Sequence, residues 1–225
     1  MTVIVRFLRK YEFPLHLVVG FDRVRWWISR LASTLRLKLI LRTVGCRYGK
    51  GLIADGRVII RVGRKGAIEI GDNVTFRSRF TGNLAGLTNP VVLQCLGEGR
   101  ISIGNNCGFS GTVISARSTI RIGNFSLFGV NTRIYDHDFH STDPAKRRLP
   151  QEDQKNIKAA AITIGDDVFV GANAIILKGC TIGDRSTIGA GAVLAKMCVP
   201  PDSLVVGNPG KIVQNYSPGR KDLRR

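Results

Sequence analysis

The 225-residue chain is long enough for one domain and a small extension, and its five cysteines, odd in number and singly spaced, form neither a disulfide framework nor a metal knuckle; they fit a reducing cytoplasm. A formal net charge of +18 calls for a polyanionic neighbour: phospholipid headgroups, nucleic acid, or anionic glycans and nucleotides. No RRM, zinc-finger or other nucleic-acid signature accompanies the charge, so nucleic acid is not an expected partner.

Residues 1–44 stand apart in composition. Arg6, Arg9, Lys10, Arg23, Arg25, Arg30, Arg36, Lys38 and Arg42 are set against only Glu12 and Asp22. Apolar blocks alternate with these charges, which predicts one or two short, basic, amphipathic helices. The longest uncharged run, Phe13–Phe21, contains Pro14 and is far too short to span a bilayer. No small-residue cleavage site follows a clean apolar core, so a signal peptide is not expected. Two readings stay open. The segment lies on an anionic membrane surface with Trp26 and Trp27 at headgroup level, or it caps the open end of the domain that follows, its arginines in water. His16 is expected to be structural.

From Gly45 the pattern changes. Val58–Val62, Ala67–Ile70 and Val74–Phe76 read as short strands between glycines, and Gly82–Gly99 is irregular around an Asn89-Pro90 turn signal. Further on, every sixth residue is a branched aliphatic: Ile164, Val170, Ile176, Ile182, Ile188, Leu194. Four places after each sits a small or modest residue: Val168, Ala174, Cys180, Ser186, Ala192, Cys198. Period six fits neither a helix nor a plain strand. It fits a short strand plus a turn, repeated as a solenoid of triangular coils. The aliphatic residues are expected inside the prism and the small ones near its corners. Gly165, Gly171, Gly183 and Gly189 are expected in turn conformations, and Cys107, Cys180 and Cys198 as packed, reduced thiols.

A coil is then eighteen residues, the spacing from Ile164 to Ile182. Ile103 to Ile122 is 19, one residue over, and Ile70 to Ile103 is 33. Ile122 to Ile164 is 42, which leaves 24 extra residues between Asp136 and Ala161. A long insertion in a rigid rod is a functional candidate. This one holds Asp136, His137, Asp138 and His140, two of the chain's three histidines, and the coils offer no other base suited to neutral pH. A metal cluster of Asp136, His137, Asp138, His140 and Asp143 is a weaker reading, and no metal is expected. After Leu194 the pattern ends at Pro200-Pro201. Gly207–Lys211 turns back into a last strand at Ile212-Val213, and Ser217–Arg225 reads as a basic tail. The organisation expected is a helical segment 1–44, a solenoid 45–213 with an extruded loop 136–161, and a tail 214–225.

Val58–Val213 resembles the hexapeptide-repeat acyltransferases, and the loop resembles that of galactoside and maltose O-acetyltransferases. The resemblance implies an all-β solenoid, the left-handed parallel β-helix, against the usual right-handed crossover preference. It implies a homotrimer with acetyl-CoA lying in a groove between subunits. His137, where the coil breaks into the extruded loop that leads to Ile162-Thr163-Ile164-Gly165, matches the catalytic histidine, with His140 the lesser candidate. Ala172 matches the residue whose N–H supports the thioester oxygen, and Phe169 an aromatic of the groove. Ala190 matches the stretch along the pantetheine arm, and Ala195, Lys196 and Lys211 match contacts to the nucleotide end. Ser110 stands where several sugar acetyltransferases carry an acceptor-contacting Asn, and Asp136, Asp138 and His140 flank the acceptor. The activity implied is O-acetylation of a sugar hydroxyl in bacterial surface polysaccharide synthesis, on a sugar or lipid-linked glycan. N-acylation of an amino sugar, or a non-catalytic partner-binding solenoid, are the alternatives. The setting implied is cytoplasmic, at or near the inner face of the plasma membrane.

Overall fold

The computed structural model of the chain describes residues 15–215. The expected tail at Ser217–Arg225 and the first fourteen residues lie outside that range, and His16 is among residues whose side chains are not described.

Short strands wind through three sheets, A with seven strands, B with eight and C with six, visited in turn. Pairing between coils is parallel; the last strand, Lys211–Asn215, returns antiparallel beside Ser203–Val206. The period-six residues form the inner ladders. Sheet A stacks Ile70, Ile103, Ile122, Ile164, Ile182 and Val199 in register. Sheet B stacks Phe76, Phe109, Phe128, Val170, Ile188 and Val205. Sheet C stacks Leu93, Ile114, Ile134, Ile176 and Leu194. All are buried. Each fully buried aliphatic contributes about 1.5–3 kcal/mol of transfer free energy, and the strand period of two sends the residue between to solvent, as at Thr163 between Ile162 and Ile164.

Two details differ from the sequence expectation. Gly165 and Gly171 do not adopt positive φ. Their role is close approach: a Cβ on Gly165 would lie 2.8 Å from the backbone nitrogen of Asp184, and one on Gly171 2.5 Å from that of Ala190. The left-handed turn position falls two residues later, on Asp167 and Asn173 (φ 55° and 59°), short polar residues that tolerate it. Cys107 and Cys180 are buried as expected, but Cys198 is exposed. The last coil is one residue short, so Val199 takes the inward place beside Ile182 and Cys198 pairs with outward Thr181.

The N-terminal segment forms one continuous helix, α1 (Leu15–Thr43), where the pattern allowed one or two. Leu37 and Leu41 are buried in the core, and the Ala54 N–H donates to Thr34 Oγ1 at 3.0 Å. The helix thus caps the first coil and satisfies a strand edge that would otherwise be open. Trp26 is held inward, its Nε1 donating to Asp55 Oδ2 at 3.2 Å, so it is not at a free surface as the membrane reading placed it; Trp27 is exposed.

Two excursions leave the prism. Residues 78–91 leave between sheets B and C, and 136–161 between C and A. The second is ordered: an antiparallel bridge between His137 and Ala159 closes its stem, and it carries helices α2 (Pro144–Arg147) and α3 (Pro150–Lys155).

Candidate active site

The strand Arg133–Tyr135 delivers the chain to the corner between sheets C and A, where Asp136 begins the excursion. Asp136 is fully buried, yet its carboxylate is well supplied. It accepts the backbone N–H groups of Arg117 and Ser118, on the preceding coil, at 2.7 and 2.8 Å. Its Oδ1 also lies 3.0 Å from His137 Nδ1. An ionised carboxylate only accepts, so His137 carries its proton on Nδ1 and presents a lone pair at Nε2. That Nε2 is buried without a hydrogen-bond partner. The Phe139 ring lies 4.7 Å from the imidazole, itself edge-on to Tyr135 at 5.2 Å. Asp136, read from sequence beside the acceptor residues, is placed to hold His137 rather than to reach a substrate.

Asp138 and His140 have separate partners. Asp138 Oδ1 forms an ion pair with Lys178, and its Oδ2 is buried without a partner. His140 is largely exposed, and its Nδ1 lies 2.7 Å from Asp153 Oδ2 on α3. Asp153 also accepts the Ser141 N–H, and these two bonds hold its carboxyl below the usual range. Arg117 binds the Gln154 carbonyl at 2.8 Å, docking α3 on the coils. Among the described residues no three His, Cys, Asp or Glu side chains converge as metal ligands.

Lys178 is a site residue that the pattern did not single out. Its signal was its phase: it stands eighteen residues, one coil, before Lys196 at the same C/A corner. The Lys196 N–H donates to the Lys178 carbonyl, so Asp138, Lys178 and Lys196 line one edge of the prism in successive coils, with Ala195 beside them. Ser110, Ala172 and Ala190 lie instead at the corner between B and C, with Phe169 half-exposed on sheet B. Ala172 N–H makes no backbone hydrogen bond, but neither do Val130 and Ala190 N–H at equivalent turns, so this is a property of the corner. Ser110 is buried under the first excursion, where Asn131 ties Gly86 and Thr88 to the coil. Lys211 is exposed on the antiparallel last strand. Within one chain, His137 and the Ala172 corner are separated by the width of sheet C.

Residues 161–196 match the family described as bacterial transferase hexapeptide (six repeats). A hexapeptide-repeat containing acetyltransferase from Vibrio cholerae O1 biovar eltor, solved with acetyl coenzyme A, is 32% identical, covering 56% of this chain and 68% of that one with a TM-score of 0.48. AntD, an N-acyltransferase from Bacillus cereus solved with dTDP and 3-hydroxybutyryl-CoA, is 19% identical over 80% of this chain and 88% of its own, with a TM-score of 0.60. A maltose O-acetyltransferase from Clostridium difficile 630 is 24% identical over 80% and 74%, with a TM-score of 0.48. Among curated proteins the sequence matches none. The solenoid is a left-handed parallel β-helix of the hexapeptide type. The chain belongs to the hexapeptide-repeat acyltransferases.

Proposed function

We propose that this acyltransferase moves an acetyl group from acetyl-CoA to a sugar hydroxyl, with His137 as general base and no covalent enzyme intermediate. The observation that carries the reading is the polarised imidazole: Nδ1 is held by a buried carboxylate that two backbone N–H groups anchor, and Nε2 is left without a partner. In the reaction, the hydroxyl oxygen attacks the thioester carbonyl as its proton passes to Nε2. The tetrahedral oxyanion then collapses, the C–S bond breaks, and the imidazolium returns the proton to the departing thiolate. Asp136 fixes the tautomer and stabilises the imidazolium. Entry of the acceptor displaces the half-exposed Phe139 ring from over His137.

The thioester end of the donor is placed by the other corner, where Ala172 N–H supports the oxyanion and Phe169 and Ala190 line the groove; Lys196, at the C/A corner, and Lys211, on the last strand, meet the phosphates of the nucleotide. Since His137 and Ala172 lie at different corners of one chain, a complete site needs the corner of one copy against that of another. This supports a homotrimer with shared sites. The acceptor class we favour is a sugar or lipid-linked glycan of bacterial surface polysaccharide synthesis.

The test is wild-type protein with acetyl-CoA and a panel of sugars, amino sugars, nucleotide sugars and lipid-linked glycans, read by free-thiol release and product mass spectrometry. An ester product bears the reading out. An amide product replaces it with N-acylation of an amino sugar, and no turnover on any acceptor replaces it with a partner-binding solenoid.

A further inference from the structure

The face of α1 that does not touch the coils is not polar. Phe21, Val24, Ile28, Leu31, Leu35 and Leu39 are each 58–66% exposed. Their spacings of three and four residues place them in one stripe, roughly 80° wide at 3.6 residues per turn. Trp26, Leu37 and Leu41 lie on the opposite side of the helix, against the first coil. The apolar residues thus fall on two faces, one capping the solenoid and one turned away from it. Exposed Trp27 borders the outward stripe, and a shallow apolar depression lined by Trp27, Ile28, Leu31 and Ile53 extends it toward the coils.

The charges beside the stripe have one sign. Arg25 and Arg36 flank one side and Lys38 the other, and among the described residues none of the three is in an ion pair. The only acidic residue of the helix is Asp22. A second copy of α1 laid against this stripe would bring like charges together at its rim. An anionic lipid surface would take the apolar stripe into its headgroup region and pair the basic rim with lipid phosphates. No helix of the described residues is long and apolar enough to cross a membrane, so the contact is interfacial.

We infer that the outward stripe of α1 docks this protein on an anionic bilayer while the inward face of the same helix caps the β-helix. The inference is independent of acetyl transfer: protein inactivated at His137 is expected to bind vesicles as the wild type does. The probe is full-length protein co-sedimented with phosphatidylglycerol–phosphatidylcholine vesicles and with phosphatidylcholine alone. Binding to the anionic vesicles is expected to be about tenfold or more above the neutral ones, and to fall with salt as the charges are screened. The double variant Ile28→Glu, Leu31→Glu is expected to lower anionic binding by about tenfold or more with an unchanged melting temperature. Should that variant melt early, Ile28→Ser, Leu31→Ser takes its place. In a Trp26→Phe background, the remaining Trp27 emission is expected to shift to the blue on binding. Three outcomes overturn the inference: no binding to anionic vesicles at low salt; wild-type binding by the stripe variant; or a stripe variant that changes the oligomeric mass and leaves vesicle binding intact.

Discussion

The coils from Ile162 to Val199 and the excursion from Asp136 to Ala161 are neighbours built on opposite principles. The coils are held by identical apolar contacts repeated along three ladders, with no ionisable carboxylate or amine inside. The excursion has little apolar interior. It is held by Asp136 on two backbone N–H groups, Asp153 on His140 and Ser141, Arg117 on Gln154, and Asp138 on Lys178. Repetition gives stiffness but places the same side chains at every level. Chemistry needs a side chain that occurs once, and an interruption of the repeat is where the fold has room for one.

The contrast can be broken first at the core. Ile176 stacks between Ile134 and Leu194 and is fully buried. Ile176→Ala should cost about 2–5 kcal/mol of stability in a denaturant titration, because the stiff ladder cannot close over the cavity. A loss below about 1 kcal/mol would show that the coils relax more freely than their packing implies.

Next in size is Asp136. Asp136→Ala leaves the Arg117 and Ser118 N–H groups and His137 Nδ1 without their acceptor, a cost of about 1–3 kcal/mol where water enters the vacated space and meets most of them. Turnover should fall by about 10²-fold or more and its pH profile should change, since nothing then fixes the tautomer. Turnover unchanged in rate and pH profile would place the base elsewhere.

The latch at His140 is smaller. Asp153→Asn should weaken it, seen as faster hydrogen exchange and proteolysis within 136–161 rather than a lower global melting point. Its pH dependence has a definite sign. The bonds from His140 and from the Ser141 N–H hold the Asp153 pKa down, so its contribution is present above the unfolded value of about 4 and is lost as pH falls through the lowered one. Loop protection should therefore persist from neutral pH to about 5 and drop below about 4. Loss of protection beginning near pH 6 would contradict that sign.

The smallest effect concerns thiols. Exposed Cys198 should be alkylated readily in the native protein, and Cys95, whose thiol burial pushes up to about 12, should not. Labelling of Cys95 as fast as Cys198 would mean that the early coil between Val62 and Ala116 opens readily.

Much of the ladder was legible in the sequence because burial repeats. Ile164 through Leu194 announce their phase, and the 42-residue gap after Ile122 marks the excursion. Features that depend on a neighbouring coil were not legible. Nothing local to Gly165 distinguishes a left-handed glycine from one pressed against Asp184, and the one-residue shortening that exposes Cys198 is seen only in the pairing with Thr181. Within Asp136–His140 the sequence marked the residues but not their division of labour. Asp136 supports His137 only because Arg117 and Ser118, a coil earlier in the chain, fix its carboxylate, and His140 faces Asp153, thirteen residues on. The helical segment allowed a cap or a membrane face; α1 caps the first coil through Leu37 and Leu41 and turns a second apolar stripe away from it.

The central claim is that the interruption of the repeat carries the base, and that of its two histidines His137 is the one. The direct measurement is turnover at saturating acetyl-CoA for His137→Ala and His140→Ala, with acetyl-CoA binding measured on both. The account predicts a loss of about 10²–10⁴-fold at His137 and less than about tenfold at His140, with donor binding retained in each. Equal losses, or a larger loss at His140, would contradict it.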